Sequence, residues 1–493
     1  MPQRKRKPTP QEPSGLSVLI LVFGVLIALA LLVRLVTGLI SSPVKLQEDP
    51  QMTVTEPAPE ETEEKQSLWD RLFGSGKKEE VDPDPTETTP QETRPQIVST
   101  ATVGTMGDML MHIQLFDAKY NAIANLGGGN YDFSPVFEHV TDTVSELDYA
   151  IANLETTFGG DNYPYQGNPT FNCPDPLAKA LADAGYDMML TANNHCSDTL
   201  MPGIKRTLNV VRNAGMETLG TRLTGEEKRY SIVEVNGIRI GMVCYTYTMK
   251  MVEGVPSLNG GWPLDEPELV NWFTYDDLEG FYQEIGGVYS DMKAAGAEAA
   301  MLFIHWGDEY QLTENTWQNT IAQKMCDLGF DVIVGGHPHV VQPMELLEST
   351  LDPEQKTVCI YSLGNSVSNQ RLGNLKSIQT AHTEDGALFT VTFEKWSDGH
   401  VRVSGTDVLP LWVTMHEATG KLEYNILPLD KSAEDTWAQQ FGLSPETQKA
   451  AQASWQRTMD IVGGGLQECL LWLNDANENR EDPAAAQAAE QGG

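Results

Sequence analysis

The chain has 493 residues, with 33 basic and 69 acidic side chains and a formal net charge of −36, which argues against a generic nucleic-acid binder. Its length exceeds one average domain, so one large or two smaller domains plus tails are expected. An apolar content of 40%, with ten Trp and fourteen Phe, is enough for a sizeable core in whatever part folds.

In chain order the first feature is a basic cluster, Arg4 to Lys7, followed by eighteen residues without a charge over 16–33, with apolar character resuming after Arg34 as far as Ile40. That length crosses a bilayer as a helix, and the basic cluster should stay cytoplasmic. Residues 16–40 therefore read as a single-pass anchor behind a cytoplasmic segment 1–15, with the rest of the chain on the extracytoplasmic side of the cell membrane. A cleaved signal peptide is the competing reading, but the stretch exceeds a usual h-region and no A-x-A site follows. Residues 46–95 carry fourteen acidic and five basic side chains and seven prolines, so 41–96 reads as an extended, self-repelling linker.

From Ile97 onward β-rich runs alternate with amphipathic helices. The strand candidates are 97–103, 148–153, 186–192, 238–247, 299–304, 331–335 and 357–362, and the helices include 175–186, 203–216 and 316–330, each closing near a Gly suited to a C-cap. This alternation implies a layered α/β domain over 97–412 with a mainly parallel or mixed sheet. Beyond Asp407 no chemical motif follows: 401–413 reads as a closing strand pair, 444–462 as an amphipathic helix, and 413–493 as a helical extension ending in a tail. The six cysteines are scattered without a C-x-x-C pair, which indicates neither a zinc ribbon nor a thioredoxin-like site. Outside a membrane some could be bridged, while Cys244 and Cys359, inside apolar runs, read as buried thiols.

Six polar clusters, "GDMLMH", "NLETT", "NNHCSD", "HWGDEY", "GHPHV" and "LGNS", each follow a strand candidate. Ligands of α/β sheets bind outside the carboxyl ends of strands, so six polar loops on one rim point to a single composite site. A lone His337 after a strand is read most simply as capping a turn. With His339 two residues on, an extended backbone would send both side chains to one face, toward one ion or two adjacent ions. Asp108, Glu155, Asn194, His195 and His305 lie in the other loops. Imidazole, carboxylate and amide oxygen without thiolate suit Mn, Fe, Zn or Co, and two such ions would polarise a phosphoryl oxygen and activate water.

"GTMGDMLM", "IANLETTF", "LTANNHCSD", "FIHWGDEY", "GGHPHVVQPME" and "YSLGNSV", in this order, resemble the capsule synthesis protein family that includes the poly-γ-glutamate biosynthesis protein CapA (PgsA), itself related to the calcineurin-like metallophosphoesterases. The resemblance implies a four-layer metallophosphatase sandwich, two sheets flanked by helices, often membrane-anchored with the domain outside. It also implies divalent metal ions, two of them, with Asp108 at the first metal-binding position, Glu155 as a bridging carboxylate, Asn194 as an amide ligand, and His305, His337 and His339 as imidazole ligands. His195 would support the phosphoryl group or leaving oxygen, which with Asp108 makes the catalytic pair. The chain departs from the superfamily pattern where D-x-H is replaced by Asp108 and a His112 four residues on, where "NLE" stands for G-D-x-x-D, and where "NNHC" stands for G-N-H-[DE]. His112 is then either a substitute ligand or a bystander. Glu309 is a candidate for orienting a ligand from outside the metal's own shell, and Asn365 either binds substrate or satisfies a turn.

Three functional readings follow: a capsule or poly-γ-glutamate assembly protein with a metallophosphatase-like site, working with polymer-synthesising membrane subunits; a metal-dependent phosphoester hydrolase acting on an envelope metabolite; or a non-catalytic scaffold that binds polymer or partners. The acidic charge is in tension with gripping a polyanion such as poly-γ-glutamate unless cations mediate.

Overall fold

The computed structural model describes residues 95–374 and 378–481. The expected anchor, and all but the last two residues of the expected linker, lie outside the described residues. Among the described residues no helix is long and apolar enough to cross a membrane.

In chain order the strands begin with β1 (Ile97–Met109), a β2–β3 ribbon (Asn125–Gly127 and Asn130–Tyr131), β4 (Tyr149–Asn153), β5 (Met188–Leu190), β6 (Glu217–Leu219), β7 (Tyr230–Val235) and β8 (Ile238–Tyr247). They continue with a β9–β10 ribbon (Lys250–Val252 and Val255–Ser257), β11 (Trp272–Phe273), β12 (Ala299–His305), β13 (Val332–Gly336), β14 (Met344–Glu348) and β15 (Lys356–Ile360). The last four are β16 (Asn365–Val367), β17 (Asp385–Trp396), β18 (Val401–Ala418) and β19 (Lys421–Pro428). The principal helices are α1 (Pro176–Asp183), α2 (Leu200–Asn213), α3 (Leu278–Ala294), α4 (Thr316–Leu328) and α5 (Pro445–Glu481). Each of the seven strand candidates contains or overlaps a strand; α1 and α4 fall within their helix candidates, and α2 overlaps its own but begins three residues earlier, at Leu200.

Two sheets result. The first has the order β19-β18-β17-β1-β4-β5-β6 with β16 beside β1, and the second β11-β8-β12-β13-β15-β14 with β7 on β8. In the first, β1, β4, β5 and β6 run parallel, while β17, β18 and β19 are antiparallel additions. In the second, β11, β8, β12, β13 and β15 are parallel and β7 and β14 are antiparallel. Parallel strands buried on both faces need apolar residues at successive positions, and β12 meets this with seven buried residues from Ala299 to His305.

Three apolar clusters fix the layering. One lies between the sheets, joining Val103 and Ile151 of the first sheet to Met242, Phe303 and Val334 of the second. Another packs Leu177 and Leu181 of α1 on the outer face of the first sheet, and a third packs Ile285 of α3 and Ile321 of α4 on the outer face of the second. Helices therefore cover both outer faces of a two-sheet α/β sandwich. All six cysteines are buried and unbridged.

The closing strand pair expected over 401–413 is instead one strand, β18, which runs to Ala418 and pairs with both β17 and β19. The register shifts opposite Thr392 and Phe393, so the Ser404-Gly405 step makes a bulge and not a turn. The expected boundary at 412 falls inside this strand. Past it, α5 brings Val462, Leu466, Cys469 and Leu473 into the cluster between the sheets. The Arg457 guanidinium of α5 donates to both oxygens of buried Asp385, at 2.6 Å each, and Ser454 adds a third bond of 2.6 Å.

Of three consecutive glycines in α5, 463–465, one is required by this packing. A Cβ on Gly465 would come within 1.7 Å of the Met344 carbonyl oxygen, whereas one on Gly464 meets nothing within 4 Å. Gly465→Ala should destabilise the fold by about 1–3 kcal/mol through overpacking against backbone, and Gly464→Ala should stabilise it by roughly 0.5–1 kcal/mol. Denaturant unfolding of the two variants checks the pair. Equal effects would mean that α5 does not lie this close to β14.

Candidate metal centre

The rim formed by the carboxyl ends of both sheets carries the polar side chains. Asp108, one residue before the end of β1, pairs in register with Asn153 at the end of β4; Glu155 follows two residues later. β5 leads to Asn193, Asn194 and His195. β12 ends on His305, beside Gly336 of β13 and Thr246 of β8. Three sequence-distant segments of one sheet thus face three of the other across the seam.

At that seam Asp108 and Glu155 both have 0% exposure. Asp108 Oδ1 accepts from Asn153 Nδ2 at 2.8 Å, and Oδ2 accepts from the His337 backbone N–H at 3.1 Å and lies 3.2 Å from His339 Nδ1. Burial alone would raise the Asp108 pKa, but the His339 hydrogen bond and the charges of His305 and His339 outweigh it and hold the carboxyl below its ordinary value. Glu155 is different: neither of its oxygens has a hydrogen-bond partner. Its Oε1 lies 3.4 Å from His305 Nε2 and 4.0 Å from His339 Nε2. A buried carboxylate without hydrogen bonds is costly, and a cation at this place would offset that cost. His305 Nε2 is also 2.9 Å from Asn194 Oδ1.

The carboxylates reshape the histidines. Burial disfavours charge on His339, yet Glu155, followed by the hydrogen bond and charge of Asp108, pushes its pKa up to about 9. His337 goes the other way: burial and the neighbouring His305 and His339 push it well below its ordinary value. Its Nδ1 has no partner, while Nε2 lies 3.1 Å from the Tyr247 hydroxyl.

His337 and His339 do not converge through extended backbone, as their spacing first suggests. They sit in a bend after β13, with φ of 100° and 57°, left-handed values that cost an L-residue about 1–3 kcal/mol each. The bond from the His337 N–H to Asp108 helps hold the bend in place, as does Asn365, whose Nδ2 donates to the His339 carbonyl at 3.2 Å. The glycines before the bend permit the approach: a Cβ on Gly336 would lie 2.8 Å from Asp108 Oδ1, and one on Gly335 2.0 Å from the Tyr361 carbonyl oxygen.

His195 lies beside this group, with Nδ1 2.7 Å from Asp198 Oδ2 and its ring edge-on to Phe171 at 4.7 Å. Burial lowers its pKa, but Asp198 and then Glu155 raise it above the ordinary value. His112 is tied elsewhere: the Asn369 N–H donates to its Nδ1 at 3.2 Å, it packs on Phe171 at 5.2 Å, and burial pushes its pKa down to about 3. Glu309 is exposed and reaches His339 and Tyr247 through its charge. Asn365 braces backbone, donating also to Gln370 Oε1 and the Thr383 carbonyl at 3.1 and 3.0 Å.

Three polar residues of the centre escape the sequence reading. Asn153 links Asp108 to Asn193, whose Nδ2 donates to Asn153 Oδ1 at 3.0 Å. Asp198 stands three residues after His195 within the quoted "NNHCSD", a spacing that offered a signal. Tyr247 ends β8, the one strand candidate that seemed to bring no polar loop to the rim.

Donor atoms of Glu155, His305 and His337 lie within 4.8 Å of one another, and so do those of Asp108, Glu155 and His339. Two buried triads therefore share Glu155. Hard and borderline divalent ions fit this imidazole and carboxylate set, and the unpaired Glu155 oxygens and His337 Nδ1 are the lone pairs that such ions would take.

Comparison with known proteins places these residues in context. Residues 102–370 match the family described as bacterial capsule synthesis protein PGA_cap. The capsule biosynthesis protein CapA of Bacillus anthracis is 27% identical over 327 residues, covering 63% of this chain and 67% of that protein. The PGA biosynthesis protein CapA of Bacillus subtilis is 28% identical over 289 residues, covering 58% of this chain and 66% of its own length. Every residue of the two triads lies inside the family match.

The His339 shift has a sign. A folded-state pKa raised from 6.5 to about 9 contributes stability that is fully present below about pH 6.5 and is lost as pH rises through about 9. In the metal-free protein, NMR titration of His339 should give a midpoint near 9 that falls by at least one unit in Asp108→Asn. A midpoint at or below 6.5 would show that the carboxylates do not face this ring.

Proposed function

The chain belongs to the bacterial capsule synthesis protein family PGA_cap, and on that premise we propose that it is a membrane-anchored, extracytoplasmic capsule or poly-γ-glutamate synthesis protein with a metallophosphatase-like metal site that performs hydrolysis. The observation that carries the site is Glu155, buried to 0% exposure with neither oxygen hydrogen-bonded and shared by two donor triads. The two-sheet sandwich with helices on both outer faces fits a four-layer metallophosphatase fold, and the site at the strand ends fits its usual place.

Asp108, Glu155, Asn194, His305, His337 and His339 would hold two divalent ions of the Mn, Fe or Zn type, with Glu155 common to both. Such ions, when bound, polarise a phosphoryl oxygen and lower the pKa of water. The chain's own contribution is positional. Asp198 fixes the His195 ring through Nδ1, which leaves Nε2 as the atom to give a proton to a leaving oxygen. This dyad favours hydrolysis over a purely non-catalytic scaffold, since polymer binding has no need of an imidazole held by a carboxylate. Asp308 and Glu309, both exposed, add negative charge to the mouth. Contact with poly-γ-glutamate would therefore need cations, and a smaller phosphoester in the envelope suits the hydrolytic role. Polymer-synthesising membrane subunits are the expected partners.

Elemental analysis of the purified full chain should find divalent metal. Glu155→Ala should weaken metal binding by roughly 100-fold or more, beyond the 10–100-fold of an outer partner. His195→Ala should keep its metal and lose about 10²–10⁴-fold in turnover of a generic phosphodiester or phosphomonoester. Metal-replete wild type without turnover would leave the scaffold reading standing. For topology, protease added to intact protoplasts should release a fragment lacking residues 16–40; full protection would overturn the extracytoplasmic placement.

A further inference from the structure

We propose that Tyr247 is a positioning residue of the metal centre: its hydroxyl oxygen accepts the Nε2 proton of His337 and so leaves the Nδ1 lone pair of that ring as the ligand atom. The proposal rests on the metal-site reading above and adds to it a residue and an atom assignment.

A neutral imidazole carries one N–H and one lone pair, and the hydrogen bond at one nitrogen decides which the other presents. His337 Nε2 lies 3.1 Å from Tyr247 Oη, and Nδ1 is buried without a partner. Two arrangements satisfy that distance. If Tyr247 donated its proton to Nε2, the imidazole proton would sit on Nδ1, a buried donor with no acceptor, at a cost of about 1–3 kcal/mol. The ring would then offer no free lone pair to the triad it forms with Glu155 and His305. If Nε2–H donates to Tyr247, the unpartnered ring atom is a lone pair that an ion can take, and the donor left over is the rotatable Tyr247 O–H, on a residue with 8% exposure, and not a fixed ring N–H. Outer partners of this kind hold ring and tautomer together.

The packing leaves the ring little freedom to turn. Its centroid lies 4.8 Å from that of Tyr247 and 4.9 Å from that of His305. Tyr247 is itself buried at the end of β8, in register with Phe273 of β11. His339 is held in the opposite sense, with Nδ1 at Asp108 and Nε2 4.0 Å from Glu155. The two histidines therefore present different nitrogens, Nδ1 from His337 and Nε2 from His339. That is how two residues on one bend serve two triads.

The test uses the full chain with ¹⁵N-labelled histidine, His337 being assigned by its loss in His337→Ala. Long-range ¹H–¹⁵N correlation of the metal-free protein should show His337 as the Nε2–H tautomer, with that preference lost in Tyr247→Phe. Titration with Mn²⁺ should show affinity at one site falling by about 10–100-fold in Tyr247→Phe, although the Phe ring preserves the packing. An Nδ1–H tautomer in the wild type, or a Tyr247→Phe variant that binds Mn²⁺ as the wild type does, overturns the proposal alone. A wild type that binds no Mn²⁺ overturns the metal reading and this proposal with it.

Discussion

Two carboxylates buried to zero exposure in the seam between two sheets are the constraint on which the rest of the centre depends. Negative charge in such a place is tolerated only when it is paired, hydrogen-bonded or bound to a cation. Asp108 meets the condition with Asn153, the His337 backbone and His339. Glu155 has no hydrogen bond, only the His305 and His339 rings 3.4 and 4.0 Å away, and His337 completes the imidazoles around it. The strained bend at His337 and His339, the glycines before it and the asparagine chain behind Asp108 all keep that arrangement in place.

The sandwich makes this placement possible because parallel strands of both sheets end at the same rim. Each contributes one side chain or one short loop, and the strands themselves are fixed by the apolar layer between the sheets. α5 belongs to the same layer: it reaches β17 through Asp385 and Arg457 and β14 through the close approach of Gly465. The C-terminal residues without chemical motifs therefore support the rim by packing, and family membership explains why the motif-bearing residues fall within 102–370.

What was legible in the sequence follows the physics of local pattern. Strands with apolar runs and helices with a Gly at the end announce themselves, so the parallel strands and the polar loops after them could be read, and with them Asp108, Glu155, Asn194 and the histidines. The backbone path was harder. His337 and His339 were expected on extended chain, where alternation would aim them together, but they converge through left-handed residues that only the contact with Asp108 and the brace from Asn365 make tenable. Asn153 and Tyr247 matter through partners 45 and 90 residues away, and no local period encodes such partners, whereas Asp198 lies only three residues from His195 and was within local reach. The strand pair expected over 401–413 is one bulged strand, and an isolated Gly inside a strand pattern is a mark of such a bulge.

The most direct test of the centre is anomalous diffraction from crystals of the protein grown with Mn²⁺ or Zn²⁺. The expected result is anomalous density bonded to Glu155, one peak shared with Asp108 and His339 and another with His305 and His337 Nδ1. Density at a different place with the Glu155 oxygens still unpaired, or no density at saturating metal, would contradict the assignment of this buried cluster as a metal site.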